Sequence, residues 1–361
     1  MIKYLRAILF PFAILYGLIT FLRNKCYDWK IFKSQEFDLP VICVGNLAVG
    51  GSGKTPVTEY LVRLLSDYKI AILSRGYGRE TKGFLLADDQ STAATIGDEP
   101  LQYYQKFPEV TVAVCEDRVT GIRRLQDQHD LIILDDAFQH RKVKAGYQIL
   151  LFEFEKMMHR QFMLPTGDLR EAFGGYKRAQ SILITKCPET LDSADQYRIA
   201  KQFSQFDESR IAYSSIIYSD LQALYTGNTM QDVRVSKDVT VFLLTGIANP
   251  KPFLAYLDGR FDAVVPQQYG DHHRFSLAEI KALKSAFEQH PAAEKIILTT
   301  EKDAQRLLDA SIKDLLLNLP VFFIPIAVKI QQKNEIPFNQ EILSYVSSTT
   351  RNRTIHQAEN Q

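Results

Sequence analysis

The sequence predicts an α/β fold: a mainly parallel sheet, a second and smaller α/β region, and an N-terminal helix set apart from both. Three observations carry this. Short apolar runs alternate with stretches of helical spacing along most of the chain. One strand–helix junction is a glycine-rich turn, Gly50-Gly51-Ser52-Gly53. Ahead of everything else, Ala7 to Leu22 form 16 consecutive uncharged positions.

The glycine junction is the most informative stretch. The apolar run Val41 to Val44 reads as a buried strand, and Val57, Tyr60, Leu61, Leu64 and Leu65 recur at helical spacing after it. Between them, Lys54 and Thr55 follow the glycines. Strand, glycine turn, Lys-Thr and helix are the context of a phosphate-binding P-loop. Glycines let the backbone wrap an anion without a Cβ in the way. The N–H groups of residues Ala48, Val49, Gly50, Gly51, Ser52 and Gly53 and the helix N-terminus then point at the phosphates. Lys54 is expected to reach the β- and γ-phosphates, and Thr55 to hold Mg²⁺. The usual pattern has Gly where this chain has Ala48, so Gly50 and Gly51 are expected to supply the tight geometry. Pro56 falls in the first helical turn, where its missing N–H costs nothing.

Composition narrows the class. A chain of 361 residues makes two domains a fair expectation, and 46% hydrophobic residues supply a full core. A net charge of +1 implies no nucleic-acid affinity. Cys26, Cys43, Cys115 and Cys187 are far apart with no CxxC, which points to a reducing compartment and no structural metal site. No obligate protein partner is evident.

Charge gathers at the N-terminus, where residues 1–35 carry six basic side chains against Asp28 alone. A helix over Ala7–Leu22 spans roughly 24 Å, short of a ~30 Å hydrocarbon core. No small-residue cleavage site follows, which disfavours a signal peptide. A buried core helix is the plain alternative. The preferred reading is a membrane-associated helix whose flanking Arg23, Lys25, Lys30 and Lys33 meet acidic head groups. Spanning and interfacial placements both stay open.

Further along, Lys69–Ser74 reads as a strand ending in Arg75-Gly76-Tyr77-Gly78-Arg79. Gly97-Asp98-Glu99-Pro100 opens a helical stretch, where carboxylates serve as caps or as chemistry. Val110–Val114 is a strand, followed by Glu116-Asp117-Arg118. Asp130–Leu134 is an apolar strand ending in Asp135-Asp136, the arrangement that places carboxylates at a nucleotide-bound Mg²⁺. Gln148–Phe152 and Ser181–Thr185 complete this set. Lys186-Cys187-Pro188-Glu189 resembles a guanine reader, but Pro188 stands where the pairing carboxylate belongs, which favours ATP over GTP.

The pattern then breaks into short polar pieces over 221–238, a predicted hinge. Strands Val239–Leu244, Phe261–Val265, Lys295–Leu298 and Val321–Ile324 form the second region. Asp271-His272-His273 has metal-ligating residue types, but adjacent histidines point apart, so the preferred role is support of the chemistry across a cleft. The expected organisation is 1–35 membrane-associated helix, 36–220 P-loop domain, 221–238 linker, 239–345 C-terminal α/β domain and 346–361 a frayed polar tail.

Taken together, VGNLAVGGSGKTP (44–56), SRGYGR (74–79), GDEP (97–100), DDAFQH (135–140), GDLREAF (167–173), DHHRF (271–275) and TTEKD (299–303) resemble the tetraacyldisaccharide 4'-kinase family. The likeness runs nearly end to end. It implies transfer of the ATP γ-phosphate to the 4'-hydroxyl of a tetraacylated glucosamine disaccharide 1-phosphate, a lipid A precursor, at the cytoplasmic face of the inner membrane. It implies Lys54 and Thr55 as P-loop ligands, Asp98 as base with His272 as partner, and Asp135 and Asp136 at the metal. Tyr77, Arg118, Arg170 and Glu171 match positions lining the acceptor site. Asp168 and Ala172 depart from the prolines usual in this family. The rival reading is a membrane-tethered P-loop ATPase switch, disfavoured because those carry Lys where this chain has Val49.

Overall fold

A computed structural model describes residues 8–225 and 237–359. The N-terminal helix α1 spans Phe10–Asp28. Next come strand β1 (Val41–Asn46), helix α2 (Lys54–Leu64) and β2 (Ile70–Ser74). Then follow β3 (Leu85–Leu86), α3 (Asp98–Lys106), β4 (Thr111–Val114), α4 (Arg118–Leu125) and β5 (Leu131–Asp135). Strands β6 (Tyr147–Glu153), β7 (Ser181–Thr185) and β8 (Ile211–Tyr218) complete the first run. The second region holds β9 (Gln222–Ala223), β10 (Thr240–Thr245), β11 (Ala263–Gln268), β12 (Lys295–Thr300), α5 (Glu301–Leu307) and β13 (Val321–Ile324). β14 (Ile326–Ile330) and α6 (Gln332–Glu359) end it.

Among the described residues, nine strands form one sheet in the order β14-β8-β7-β6-β1-β5-β2-β4-β3, and five form a second, β11-β10-β12-β13-β9. The large sheet is parallel from β8 through β4, with antiparallel edges at β14 and β3. Its central strands are apolar without alternation because both faces are covered: every residue of β1, β2, β5 and β7 is buried. The helix after β4 sits close because residue 121 has no side chain. A Cβ on Gly121 would meet Leu73 Cδ2 at 2.6 Å.

Two expectations are corrected. The chain does not remain with the second sheet to residue 345. β14 pairs antiparallel with β8, and Val328, Ile330, Phe338, Ile342 and Val346 join the core under β1 and α2. Nor do residues from 346 form a frayed tail. They continue α6 through Glu359, and Arg353 donates from Nη1 to the His129 carbonyl at 3.0 Å and from Nη2 to the Gln126 carbonyl at 2.8 Å. Burying Ile342 and Val346 contributes roughly 1.5–3 kcal/mol each, enough to order a segment whose composition is otherwise polar. Most of the expected linker, 226–236, lies outside the described residues, as do Lys3 and Arg6.

No helix among the described residues is long and apolar enough to cross a membrane. In α1 only Ala13 is buried. Phe12, Ile14, Leu15, Leu18 and Ile19 are each more than half exposed. The opposite side is tied to the body by polar contacts. The Tyr16 hydroxyl donates to the Arg170 carbonyl at 2.9 Å, and Asn24 Nδ2 donates to Glu171 at 2.9 Å.

Candidate active site

Parallel strands deliver their following loops to one edge of a sheet, and here both sheets turn that edge toward the same place. After β1 the chain makes the glycine turn. Gly50 and Gly53 have φ of 103° and 81°, left-handed values that only glycine adopts freely. Gly53 is the N-cap of α2, so the turn feeds directly into the helix whose first residues are Lys54 and Thr55. Thr185, at the end of β7, donates its hydroxyl to the Ser52 carbonyl at 2.8 Å and steadies the turn from behind. On the other side, the Val49 N–H donates to the Asp168 carbonyl at 2.8 Å, and Ala48 bridges Leu169. That contact uses a carbonyl, which any residue offers, so Asp168 serves as well as proline.

At the end of β5, Asp135 is buried and its Oδ1 has no hydrogen-bond partner among the described residues. Burial, then the charge of Asp136, push its carboxyl up to about 7. Asp136 behaves oppositely. Burial opposes its charge, but Lys54 and Arg170 outweigh that and hold it below the usual carboxylate range. Lys54 Nζ lies 3.8 Å from Asp136 Oδ1, and Arg170 Nη2 lies 3.2 Å from the same oxygen. Arg170 also donates to Asn46 Oδ1 at 2.7 Å. These oxygens suit a hard divalent cation: an unpartnered buried carboxylate oxygen beside a second carboxylate, close to the Thr55 end of α2.

Asp98 opens α3. Its Oδ2 accepts from His272 Nδ1 at 3.1 Å, Arg306 Nε at 3.0 Å and Arg306 Nη2 at 2.5 Å. Oδ1 carries none of these bonds. Burial would raise this carboxyl, but the hydrogen bonds from His272 and Arg306 win and lower it to about 2. An ionised carboxylate only accepts, so Nδ1 of His272 carries the proton, and Nε2 faces Lys302 Nζ at 3.2 Å. His272 has φ 57°, unusual for a side-chain-bearing residue, and is pinned by its N–H to the Gly246 carbonyl at 3.1 Å. His273 turns away to Glu279 at 3.0 Å. Lys302 also pairs with Glu99 at 2.9 Å.

The acceptor-side residues divide. Tyr77 is 68% exposed, and its ring lies 5.2 Å from that of His272. Arg170 is half-buried at the edge. Arg118 and Glu171, expected to line the acceptor site, are both buried. Arg118 is 2% exposed, and Nη1 donates to the Cys115 carbonyl at 2.9 Å. Its Nη2 donates to the Asp135 carbonyl at 3.4 Å, so it fastens the ends of β4 and β5. Glu171 is 3% exposed and accepts from Arg178, Asn24 and Gln139. Glu171 is thus held internally, whereas Arg118 keeps a buried Nε with no hydrogen-bond partner among the described residues. The residue that sequence reading missed is Arg306. It lies three positions beyond the TTEKD stretch, and the spacing of its Asp98 partner, 208 residues away, leaves no local signal.

A glycine turn at the carboxyl edge of a parallel sheet, a lysine beside it and a buried strand-end carboxylate define a P-loop nucleotide-binding protein. The family model described as "Tetraacyldisaccharide-1-P 4'-kinase" (LpxK) matches residues 5–345, and the chain belongs to that family. A tetraacyldisaccharide 4'-kinase of Flavobacterium johnsoniae is 47% identical over 88% of this chain and 92% of its own length. One of Flavobacterium psychrophilum is 44% identical over 97% and 99%. One of Bacteroides thetaiotaomicron is 40% identical over 98% and 96%. The crystal structure of LpxK from Aquifex aeolicus in complex with ATP superposes with a TM-score of 0.70, at 27% identity, covering 95% of this chain and 99% of that one.

Proposed function

We propose that this chain transfers the γ-phosphate of ATP to the 4'-hydroxyl of a tetraacylated glucosamine disaccharide 1-phosphate. The observation that carries the reading is the meeting of the P-loop, the Asp135–Asp136 pair and the Asp98–His272 pair at one edge, within a chain of this kinase family.

In this reading the turn from Ala48 to Gly53 cradles the phosphates with backbone N–H groups, and Lys54 neutralises charge on the β- and γ-phosphates. Thr55, Asp135 and Asp136 would hold Mg²⁺, which when bound offsets the charge of the phosphate oxygens. The bond from the γ-phosphorus to the bridging oxygen breaks, ADP leaves, and the 4'-oxygen bonds to phosphorus. Its proton passes to Asp98 Oδ1, the oxygen that takes no hydrogen bond from His272 or Arg306. A carboxyl lowered to about 2 is a weak base, which suffices for a loose transition state where the proton leaves late. His272 keeps that carboxylate oriented and shares its charge. Arg170 and Tyr77 face the anionic acceptor.

The exposed apolar face of α1 and the exposed Arg23, Lys30 and Lys33 support a peripheral seat on the cytoplasmic face of the inner membrane, where the lipid stays in the bilayer. The test is γ-labelled ATP, Mg²⁺ and a detergent-dispersed acylated glucosamine disaccharide 1-phosphate. Label on the lipid that disappears with Lys54→Ala is the expected result. ATP hydrolysis with no lipid label would overturn the reading in favour of an ATPase switch.

A further inference from the structure

We infer that Arg306 is a positioning residue for phosphate transfer, holding Asp98 Oδ2 so that Oδ1 is presented to the acceptor hydroxyl. The inference rests on the assignment of Asp98 as proton acceptor and adds the group that fixes it.

The geometry is specific. Arg306 sits on α5 and is 5% exposed. Two of its nitrogens, Nε and Nη2, approach the same carboxylate oxygen of Asp98, at 3.0 and 2.5 Å. The third, Nη1, is spent elsewhere. It donates to Asp303 Oδ1 at 2.7 Å, to the Gly246 carbonyl at 3.2 Å and to the His273 carbonyl at 3.3 Å. Asp303 is fully buried and is itself held, by the Thr300 hydroxyl at 2.8 Å and the Gly246 N–H at 3.0 Å.

One guanidinium therefore joins the carboxylate of α3 to the loop that carries His272 and to the Gly246 turn that holds it. Gly246 follows β10 and receives the His272 N–H, and residue 273 is the next in chain. If Arg306 fixes both partners of the Asp98–His272 bond, it controls their relative placement without touching substrate. A planar fork does this and an ammonium does not, because Lys offers no second rigid nitrogen for the Gly246 and His273 carbonyls. Packing alone would not need the match. A buried arginine with a purely structural task is satisfied by Asp303 and the carbonyls, yet two of its three nitrogens go to the one carboxylate placed at the reaction edge.

The test uses the full chain with ATP, Mg²⁺ and the detergent-dispersed lipid acceptor, comparing Arg306→Gln and Arg306→Lys with the parent and with Asp98→Asn. ATP-dependent thermal stabilisation serves as the check that the P-loop is folded. The expected result is a fall in kcat of about 10- to 100-fold for Arg306→Gln, the size attached to a misplacement of about 1 Å. The ATP KM should stay within about twofold. Arg306→Lys should recover part of the rate.

The acid limb of kcat should also move to higher pH in Arg306→Gln, because a cation is withdrawn from a carboxylate whose other titratable neighbours are His272, Lys302, Asp303, Asp271 and Glu99. A loss confined to stability would lower the yield of folded protein and leave the kcat of the folded fraction unchanged. Full activity in a folded Arg306→Gln, with Asp98→Asn inactive, would overturn the inference and leave the acceptor assignment standing. Full activity in Asp98→Asn would overturn the assignment itself. If Arg306→Gln does not fold, Arg306→Lys decides: an unchanged kcat and acid limb there refute the positioning role.

Discussion

Lys106 offers the sharpest test of how the two sheets are joined. Its Nζ lies 2.7 Å from Glu59 Oε2 on α2 and 2.6 Å from Glu301 Oε1 on α5. Both carboxylates are buried, with side chains 1% and 8% exposed. Lys106→Met keeps the aliphatic stem and removes the charge. Breaking a buried pair from one side costs about 3–5 kcal/mol. Glu59 keeps the Gln102 amide at 2.7 Å and Arg63 at 3.3 Å, so the lower end applies. At about 2.1 cal/mol/K per residue, 361 residues give an unfolding entropy near 0.76 kcal/mol/K, so about 3 kcal/mol lowers Tm by about 4 °C.

The pH dependence has a definite sign. Burial, then the charge of Glu59, already raise the Glu301 carboxyl, and losing Lys106 raises it further. A carboxyl raised in the fold favours its protonated form. Its contribution is present below the unfolded value near ~4.3 and is lost as pH rises through the folded one. The deficit should be full at pH 8 and shrink toward pH 5. Calorimetric melts across that range are the assay, with Glu301→Gln added to recover part of the loss. A Tm unchanged within about 1 °C at pH 8, or a deficit that grows on acidification, would refute the reasoning.

Three further outcomes are expected. Because Asp135 is raised to about 7 and a cation needs it ionised, Mg²⁺ affinity measured with fluorescent ATP analogues should be about tenfold weaker at pH 6 than at pH 8. A pH-flat titration would remove Asp135 from the metal. Asp98→Asn should lower kcat by about 10²- to 10⁴-fold with little change in ATP KM; steady-state kinetics at saturating lipid reads this, and an unchanged kcat would make Asp98 only the opening residue of α3. Replacing Phe12, Leu15 and Ile19 by Asp removes three exposed apolar contacts worth roughly 1.5–3 kcal/mol each when buried. Co-sedimentation with anionic vesicles should then fall to background, and unchanged pelleting would require another anchor.

What could be read from the sequence follows from how local each signal is. The glycine turn, the strand-end Asp135 and the central strands are each written within a few residues, by periodicity and chain order. The β8 strand was not anticipated, because its apolar residues are interrupted by Ser214 and Ser215, both buried and polar. β14 was missed for another reason. Ile326–Ile330 follows β13 after Pro325 alone, and nothing in so short a run marks that the chain leaves one sheet for the other. Arg118 and Glu171 stand out by motif position, which carries no measure of burial, and both are buried.

The Asp98 environment marks the limit most clearly. The residue stands at a helix start, where a carboxylate is ordinarily explained by the helix dipole alone. Its special character comes from His272 and Arg306, 174 and 208 positions away. Neither is brought near by anything short of folding both sheets. The same holds for Lys54 and Asp136, but there the P-loop and the strand-end carboxylate belong to one sheet and one recurring order. On the proposed reading, phosphate binding is encoded locally and proton acceptance globally. Substitutions on α5 should therefore impair transfer while sparing nucleotide binding, because every residue named in the nucleotide site lies on the other sheet.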